Sequence, residues 1–271
     1  MHRIYYPREL IKGSEIVIDD VRQAHYLFDV LRLGNNDQVC VFDGQGSEYY
    51  CQIQELSKRK ARLLIKGKHK IKNSPKPKLA IACALLKQKS RFDDLVNKLS
   101  QLGVDAIIPM LTERVVIHWD AEQKKRHHER WCNIAKQACS QSKRNTLPVI
   151  EPVTPINQLL SYGSYELKLI ATPTQRDFYL RDIIFSQSGC ADYPQGFVRP
   201  EKQNAGFLKS ILILIGPEGD FTKQELAQAK SAKFIPIFLG EQILRVDTAA
   251  LAVAAFIRLS AAGNYQVKKN I

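Results

Sequence analysis

The second part of this chain alternates short apolar runs with longer amphipathic segments, and this alternation constrains the fold more than any other feature. Each apolar run is short enough to be a buried strand, and each is followed by a turn or by a segment with helical spacing. The pattern predicts an α/β fold with a mostly parallel sheet and right-handed crossovers. The runs are LAIACALL (79–86), VDAIIPML (104–111), LKLIAT (167–172), ILILIG (211–216) and FIPIFLG (234–240).

Helix signals fall between and after these runs. A polar segment from about Ala121 to Gln141 is predicted to be helical, and Thr222 with Glu225 forms a capping-box pattern at the start of another helix. The last helix is predicted from about Thr248 to Ala262 and is apolar on most sides. Such a helix needs cover on both sides, which favours a sheet on one side and a partner subunit on the other.

The first part of the chain has a different pattern of predicted secondary structure, with short strands separated by turns, which is typical of a small β domain. VCVF, the turn at Asp43–Gly46, EYYCQI and ARLLIK predict a meander, interrupted by a helical stretch near 20–31. NSPKPK contains two prolines and no apolar residue, which is typical of a linker. We therefore predict a first domain over 1–72, a linker over 73–78 and a second domain over 79–271.

Charge points to a polyanionic partner. The formal net charge is +13, and the segment 57–78 is rich in Lys and Arg with no acidic residue. A single charged run is usually solvated surface, but an excess concentrated in patches favours nucleic acid, whose counterions are released on binding. No amphipathic helix with an aromatic face accompanies the charge, so a membrane surface is the weaker interpretation.

The remaining composition indicates a cytoplasmic protein. The chain has no apolar run long enough to span a membrane and no apolar core of a signal peptide at its start. The six cysteines show no CxxC pair and no zinc-ligand spacing, which favours reduced, mostly buried thiols. We accordingly expect no metal.

The topology brings several polar turns to one edge of the sheet. In open parallel sheets, ligands bind outside the carboxyl ends of the strands. If the strands are parallel, four segments converge there: 112–114, 172–173, 216–219 and 240–245. The chain has no GxGxxG after an early strand, no P-loop and no HExxH or GxSxG, so common dinucleotide, NTPase, zinc-protease and hydrolase sites are excluded.

Several blocks of sequence resemble one enzyme family. IGPEGDF, LGEQILRVDTAAL, KQKSRFDDLVNKLSQLGVDAIIPMLTERV and CSQSKRNTLPVI together are similar to the bacterial small-subunit (16S) rRNA uridine-N3 methyltransferases of the SPOUT class. HYLFDVLRLGNNDQVCVFDGQG is similar to the PUA-like barrel of that family. The resemblance covers nearly the whole chain, and these blocks in this order are highly specific.

The resemblance implies S-adenosylmethionine as methyl donor, a C-terminal trefoil knot, a homodimer and 16S rRNA of the small ribosomal subunit as partner. It also implies a cofactor pocket built from the glycine-bearing turns. Its residues would be Thr172, Pro173, Ile215, Gly216, Pro217, Glu218, Gly219, Leu239, Gly240, Ile243, Leu244, Arg245, Thr248 and Ala249.

Transfer to a ring nitrogen demands positioning, removal of the N3 proton and stabilisation of the ring anion. Arg245 is the candidate for holding the uracil, and Glu218 and Asp247 are candidates for handling the proton or orienting the base. Glu218 could instead shape its turn, and capping of the last helix is the favoured alternative for Asp247. Candidates for contacting RNA are Lys58, Arg59, Lys60, Arg114, Lys143 and Arg144.

The chain departs from the family pattern at four positions: Ser140, Lys143, Asp220 and Asp247. Asp at 220 tolerates a left-handed backbone but adds a carboxylate beside the pocket. These departures leave open a ribosome-assembly factor with a degenerate pocket. A metal-dependent RNA hydrolase that uses Glu218, Asp220 and Asp247 is disfavoured, because these acids lie on different turns with no His. The segment 186–209 is expected to be a mobile insertion.

Overall fold

The computed structural model describes residues 1–70, 77–115, 117, 119–176, 178–185 and 209–262. The chain divides into two units, one formed by Met1–Ser74 with Ala135–Leu147 and the other by Pro75–Ile134 with Pro148–Ile271. Each unit has a hydrophobic cluster of its own. Most of the predicted linker at 73–78 and nearly all of the predicted insertion at 186–209 lie outside the described residues.

The first unit is built around a five-stranded mixed sheet. The strand order is β1-β3-β4-β5-β2, with β1 parallel to β3 and the other pairs antiparallel. The predicted meander is confirmed, and so is the helical stretch, which continues as a π-helical turn over Tyr26–Val30. The elements are β1 (His2–Tyr5), β2 (Glu15–Ile18), α1 (Val21–His25), β3 (Gln38–Phe42), β4 (Ser47–Leu56) and β5 (Ala61–Lys70).

The β3–β4 turn shows why this segment forms a hairpin. The Asp43 carboxylate accepts hydrogen bonds from the backbone N–H groups of Gln45 and Ser47, both at 2.9 Å. These bonds pair amide groups that the turn removes from the strand ladder. Beyond the turn, the first half of β4 alternates between buried and less buried positions, as a strand with one face on a core should.

The second unit alternates strands and helices, as predicted. The strands are β6 (Lys78–Ala84), β7 (Ala106–Leu111), β8 (Val149–Ile150), β9 (Thr154–Pro155), β10 (Leu167–Ala171), β11 (Ser210–Ile215) and β12 (Ile235–Ile237). The helices are α2 (Lys89–Gln101), α3 (Ala121–Gln141), α4 (Ile156–Leu160), α5 (Leu180–Phe185), α6 (Lys223–Ser231) and α7 (Val246–Ala262). Residues 135–141 of α3 belong to the first unit.

The sheet of the second unit is parallel throughout, which confirms the central structural prediction. Its order is β12-β10-β11-β6-β7-β8, and β9 also pairs with β7 in parallel. The central strands β6 and β11 are buried at almost every position, as expected of strands covered on both faces. Because all the strands point the same way, the loops after β7, β10, β11 and β12 open at one edge.

Helix ends follow local sequence signals. The predicted capping box of α6 is present, with the Thr222 hydroxyl accepting from the Glu225 N–H and the Glu225 carboxylate accepting from the Thr222 N–H. The last helix, α7, begins at Val246, two residues before the predicted start, and packs on α2, β6 and β11. Among the described residues, no helix has the length and apolar character needed to cross a membrane.

Candidate active site

A cavity opens beyond the carboxyl ends of β10, β11 and β12 in the second unit. It encloses about 560 Å³ of empty space, a volume that includes its open mouth. Its walls come from three strand-to-helix loops and the first turn of α7. The lining residues are Ala171, Thr172, Pro173, Ile215, Gly216, Pro217, Glu218, Asp220, Phe238, Leu239, Gly240, Gln242, Ile243, Leu244, Val246 and Ala249.

The structure gathers most of the predicted cofactor residues around this cavity. Gly219, Arg245 and Thr248 are the predicted residues that do not line it, although each is next in sequence to one that does. The residues missed by sequence reasoning are Ala171, Asp220, Phe238, Gln242 and Val246. Each of these is next in sequence to a predicted position, so extending every predicted segment by one residue would have found them.

The loop after β11 packs closely because Gly216 lacks a side chain. A Cβ atom at Gly216 would lie 2.8 Å and 2.9 Å from two ring carbons of Phe221, whose side chain is buried. Phe221 belongs to the hydrophobic cluster of the second unit, so this turn is pressed against a fixed aromatic ring. Gly240, after β12, has φ +130°, a conformation that side-chain-bearing residues rarely adopt.

Asp220 joins two of the loops that form the cavity. Its backbone adopts φ +61°, in the left-handed region that aspartate tolerates better than most residues. Its carboxylate accepts a hydrogen bond from the Thr172 hydroxyl at 2.9 Å, and Thr172 also bonds to the Thr174 hydroxyl at 2.8 Å. The additional carboxylate is therefore bound to the loop after β10 and helps to hold the two walls together.

The loop after β7 is fastened to the same turn. The Arg114 guanidinium donates to the backbone carbonyl of Gly219, and the backbone N–H of Glu113 donates to the Glu225 carboxylate at 2.9 Å. Glu225 is only 5% exposed, so it is a fixed anchor. Arg114, predicted to contact RNA, also has this positioning contact at the edge of the cavity.

The two candidate carboxylates meet on one arginine that sequence reasoning had not selected. Arg91, in the first turn of α2, contacts the Asp247 carboxylate at 2.8 Å and 3.2 Å and the Glu218 carboxylate at 3.4 Å. Side-chain exposure is 24% for Arg91, 26% for Asp247 and 63% for Glu218. The signal available in the sequence was the basic position at the start of a helix that follows a strand of the same sheet.

This arrangement fixes the charge of Asp247. Partial burial by itself would raise the pKa of the Asp247 carboxyl, but hydrogen bonds from Arg91 and from the Thr248 N–H outweigh it and place the pKa below its ordinary value. The same contact with Asp247 raises the pKa of Arg91. Both groups are therefore charged at neutral pH.

Asp247 does not precede α7 as an N-cap residue would, and Arg245 is the residue directly before the helix. Because α7 begins at Val246, Asp247 lies inside the first turn, where its carboxylate accepts the Thr248 N–H at 3.1 Å. An acid at this position also interacts favourably with the helix dipole. Arg245 directly precedes the helix, and its backbone carbonyl accepts a hydrogen bond from the Ala249 N–H at 2.8 Å. Its side chain is exposed, and its neighbours in sequence, Leu244 and Val246, line the cavity.

In the first unit, the candidate RNA-contacting residues Lys58, Arg59 and Lys60 lie on the exposed turn between β4 and β5. Lys58 is 3.5 Å from the Asp29 carboxylate and Lys60 is 3.8 Å from the Asp19 carboxylate. Ion pairs this long near the protein surface are weak and leave the ammonium groups accessible to another anion.

The other two candidates follow the end of α3. Lys143 is exposed with φ +57°, whereas the Arg144 guanidinium donates to the Thr146 hydroxyl at 3.1 Å and the Arg144 carbonyl accepts from Arg3. The Ser140 hydroxyl donates to the Arg3 carbonyl. The serine that departs from the family pattern at position 140 is therefore hydrogen-bonded within the first unit.

The described residues offer little to a metal ion. No group of three or more His, Cys, Asp or Glu side chains in this part of the chain is arranged to hold one. Glu218 and Asp247 contact Arg91, while Asp220 contacts Thr172. His127 and His128 are half-buried, with His127 stacked on Trp119 and His128 hydrogen-bonded to the Ile150 carbonyl.

Comparison with known families gives two matches along the chain. Residues 72–258 match the family described as RNA methyltransferase domain, and residues 18–66 match the RNA methyltransferase PUA domain. Among curated relatives, the ribosomal RNA small subunit methyltransferase E of Rickettsia conorii is 31% identical, with 95% of each chain covered. The enzyme of the same name from Bacillus subtilis is 30% identical, with 84% of each chain covered.

Two solved methyltransferase structures also match nearly the whole chain. A ribosomal RNA small subunit methyltransferase E from Neisseria gonorrhoeae, bound to S-adenosylmethionine, is 28% identical with a TM-score of 0.77, covering 96% of this chain and 98% of its own. A protein from Legionella pneumophila that is described as a methyltransferase also has S-adenosylmethionine bound. It is 26% identical with a TM-score of 0.79, and the match covers 95% of this chain and 97% of its own. The parallel α/β second unit and the mixed-sheet first unit are thus shared with solved relatives.

The close approach at Gly216 predicts that Gly216→Ala lowers the free energy of unfolding by about 1–3 kcal/mol, because the buried Phe221 ring must shift. Gly219→Ala is the matched control, since its Cβ would meet only the Arg114 side chain at 3.5 Å. We expect that control to change stability by less than about 0.5 kcal/mol. Urea denaturation measures both, and equal stabilities for the two variants would contradict this packing.

The Arg91 contact predicts that Arg91→Ala raises the pKa of Asp247 from its lowered value, because the hydrogen bonds and the positive charge of Arg91 are lost while partial burial remains. In the wild type the lowered pKa stabilises the fold fully above about pH 4, and this contribution is lost as pH falls through the lowered pKa. Carboxyl NMR titration measures the shift. Arg130→Ala, which removes an arginine paired with Asp93 instead, is the control. A pKa equally low in Arg91→Ala would disprove the assignment.

Proposed function

The chain belongs to the RNA methyltransferase family that includes the ribosomal RNA small subunit methyltransferase E enzymes, and from this premise we propose its reaction. We propose that it transfers a methyl group from S-adenosylmethionine to N3 of a uridine in small-subunit (16S) rRNA. The observation that supports this most is the cavity at the carboxyl edge of the parallel sheet, beside which Arg91 contacts the carboxylates of Glu218 and Asp247.

The cavity fits a cofactor of this chemistry. Ile215, Leu239 and Leu244 provide apolar surface for an adenine ring, and the glycine turns expose backbone N–H and C=O groups for its edges. Asp220 and Glu218 lie in the lining, where negative charge favours a sulfonium or ammonium group.

Bound S-adenosylmethionine supplies an electrophilic methyl group, so the protein's own residues need only hold the base and manage one proton. Alignment of the uracil N3 with that methyl group provides much of the acceleration. Arg245, exposed beside the cavity, is proposed to donate to a uracil carbonyl oxygen. That donor stabilises the negative charge that develops on the ring as N3–H loses its proton.

The two carboxylates are proposed to divide the remaining work. Asp247 is held by Arg91 and its pKa is lowered, so it stays ionised and is a weak base suited to orienting the substrate. Glu218 has one longer contact with Arg91 and is 63% exposed, so it can exchange a proton with solvent. We therefore assign proton transfer from N3 to Glu218 and orientation to Asp247.

The first unit is proposed to supply affinity for RNA. It matches the RNA methyltransferase PUA domain over 18–66, and its exposed β4–β5 turn presents Lys58, Arg59 and Lys60. Basic surfaces of this kind bind RNA largely through phosphates and shape. Arg114, Lys143 and Arg144 are proposed as additional RNA contacts.

A homodimer, a C-terminal trefoil knot and a cytoplasmic location complete the proposal. Ile243 and Leu259 are 83% and 71% exposed, which supports a subunit contact along α7 and the loop before it. The knot rests on the resemblance to its class. The location follows from rRNA as substrate.

The mechanism predicts that the purified protein binds S-adenosylmethionine in isothermal titration and adds one methyl group to uridine N3 of small-subunit rRNA, detected by mass spectrometry. Arg245→Ala should lower the rate about 100-fold, the usual effect of removing one such donor, while cofactor affinity stays within about twofold of the wild type. Arg181→Ala, which removes an exposed arginine on α5, should retain full activity.

Three outcomes would count against parts of this account. RNA binding with no methyl transfer would favour the assembly-factor alternative. Wild-type rates in Arg245→Ala would remove Arg245 from the mechanism. Methylation at another uracil position would contradict the proposed N3 chemistry.

Charge on the β4–β5 turn predicts that replacing Lys58, Arg59 and Lys60 together with alanine weakens rRNA binding and flattens its salt dependence. Each lost phosphate contact should reduce the slope of log K against log salt by about 0.7–0.9. The control is Lys223→Ala with Lys230→Ala on α6, compared per charge removed. Filter binding at several salt concentrations measures the slopes, and equal slopes per charge would show that the turn has no special role.

A further inference from the structure

A second cavity lies in the second unit, and the proposed reaction does not use it. It encloses about 620 Å³ including its opening. Its apolar wall is formed by Leu85, Leu111, Ile117 and Val153, and its polar side by Trp119, Asp120 and Lys124. A cavity with an apolar wall, one aromatic ring and one ammonium group has the chemistry of a nucleotide site.

This cavity opens at the same sheet edge as the first. Leu85 directly follows β6 and Leu111 ends β7, and both strands run parallel to β11, whose loop lines the first cavity. In the sheet order, β7 is two strands from β11, a separation of about 10 Å at the usual strand spacing. That distance suits neighbouring nucleotides of one unstacked RNA strand.

The loop between the cavities connects them physically. Arg114 follows Leu111 by three residues and donates to the Gly219 carbonyl, in the turn that borders the first cavity. A strand of RNA running from one cavity to the other would therefore pass a guanidinium group that is already held in position.

Trp119 offers a rigid surface for a base. Its indole stacks on the His127 ring at 4.1 Å between centroids with an interplanar angle of 15°, and Trp131 lies 6.0 Å away. These contacts hold the indole in one orientation, while Trp119 itself remains partly exposed and lines the cavity. A preordered aromatic ring loses little conformational entropy when a base stacks on it.

Of the two charged side chains in the lining, Lys124 is the one that can bind a phosphate. The Asp120 carboxylate is occupied by the Gln123 N–H, which donates to it at 2.7 Å at the start of α3. Lys124, one turn into the helix, is half-buried and reaches the cavity wall. With a formal net charge of +13 on the whole chain, an anionic strand is the occupant that matches this surface.

We propose that this second cavity binds a nucleotide that neighbours the methylated uridine, with its base stacked on Trp119 and its phosphate bound by Lys124. The assignment rests on the proposed function and gives the enzyme a second point of contact on the same RNA strand. Base stacking in this cavity positions the strand so that the target base enters the first cavity.

Tryptophan fluorescence tests the contact directly, because the chain has two tryptophans and Trp131 is buried at 1% exposure. Titration with octauridylate RNA should quench the emission of the wild type. Trp119→Phe keeps an aromatic ring and should bind fluorescein-labelled octauridylate within about threefold of the wild type, with the quenching lost. Trp119→Ala should bind about tenfold more weakly, as expected for one lost base stack. No quenching, or equal affinity for all three proteins, would overturn the proposal.

A second comparison separates Lys124 from general surface charge. Lys124→Ala should reduce the slope of log K against log salt by about 0.7, whereas Lys125→Ala, at an exposed neighbouring position outside the cavity lining, should leave it unchanged. Equal effects of the two variants would remove Lys124 from the site.

Methylation kinetics with small-subunit rRNA distinguish failure of this inference from failure of the proposed function. In Trp119→Ala, KM for rRNA should rise about tenfold, with kcat and S-adenosylmethionine affinity unchanged. Normal methylation with unchanged KM in that variant would overturn the second site and leave the reaction intact. Quenching by RNA without any methyl transfer would support the second site and refute the reaction.

Discussion

The parallel direction of the second unit's strands is the constraint on which the site depends. It brings the ends of β7, β10, β11 and β12 to one edge, although their loops are far apart in sequence. Side-chain contacts then fasten the loops in pairs: Thr172 to Asp220, Arg114 to Gly219, and Arg91 to both Glu218 and Asp247. A cavity held in this way is largely preformed, which reduces the cost of ordering it when a ligand binds.

Electrostatics at the edge follow from one shared arginine. Arg91 contacts both carboxylates, and its hydrogen bonds to Asp247 lower the pKa of that carboxyl and keep it charged. The resulting group retains negative charge beside a cavity proposed for a cationic cofactor. Arg245 and Arg114 at the same edge add positive charge, which is proposed to contact the RNA. Both signs of charge are therefore present within a small region.

Much of this arrangement could be predicted from sequence. Strand-like runs and the capping box at Thr222 located the elements, and the glycine turns located most of the cavity. Arg91 could not be predicted, because only the folded sheet brings α2 beside the start of α7. Asp220 was recognised as a departure from the family pattern, but its bond to Thr172 depends on which loops are neighbours. Trp119 was missed because its role depends on a cavity formed by residues from three separate segments.

The central claim is that the loops after β10, β11 and β12 together form the cavity that binds S-adenosylmethionine. A crystal structure of the protein grown with S-adenosylmethionine tests it most directly. The account predicts density for the cofactor among the residues of the first cavity, with the sulfonium methyl directed toward the group formed by Arg91, Glu218 and Asp247. Cofactor bound elsewhere on the chain, or a methyl group directed away from these residues into the protein, would contradict it.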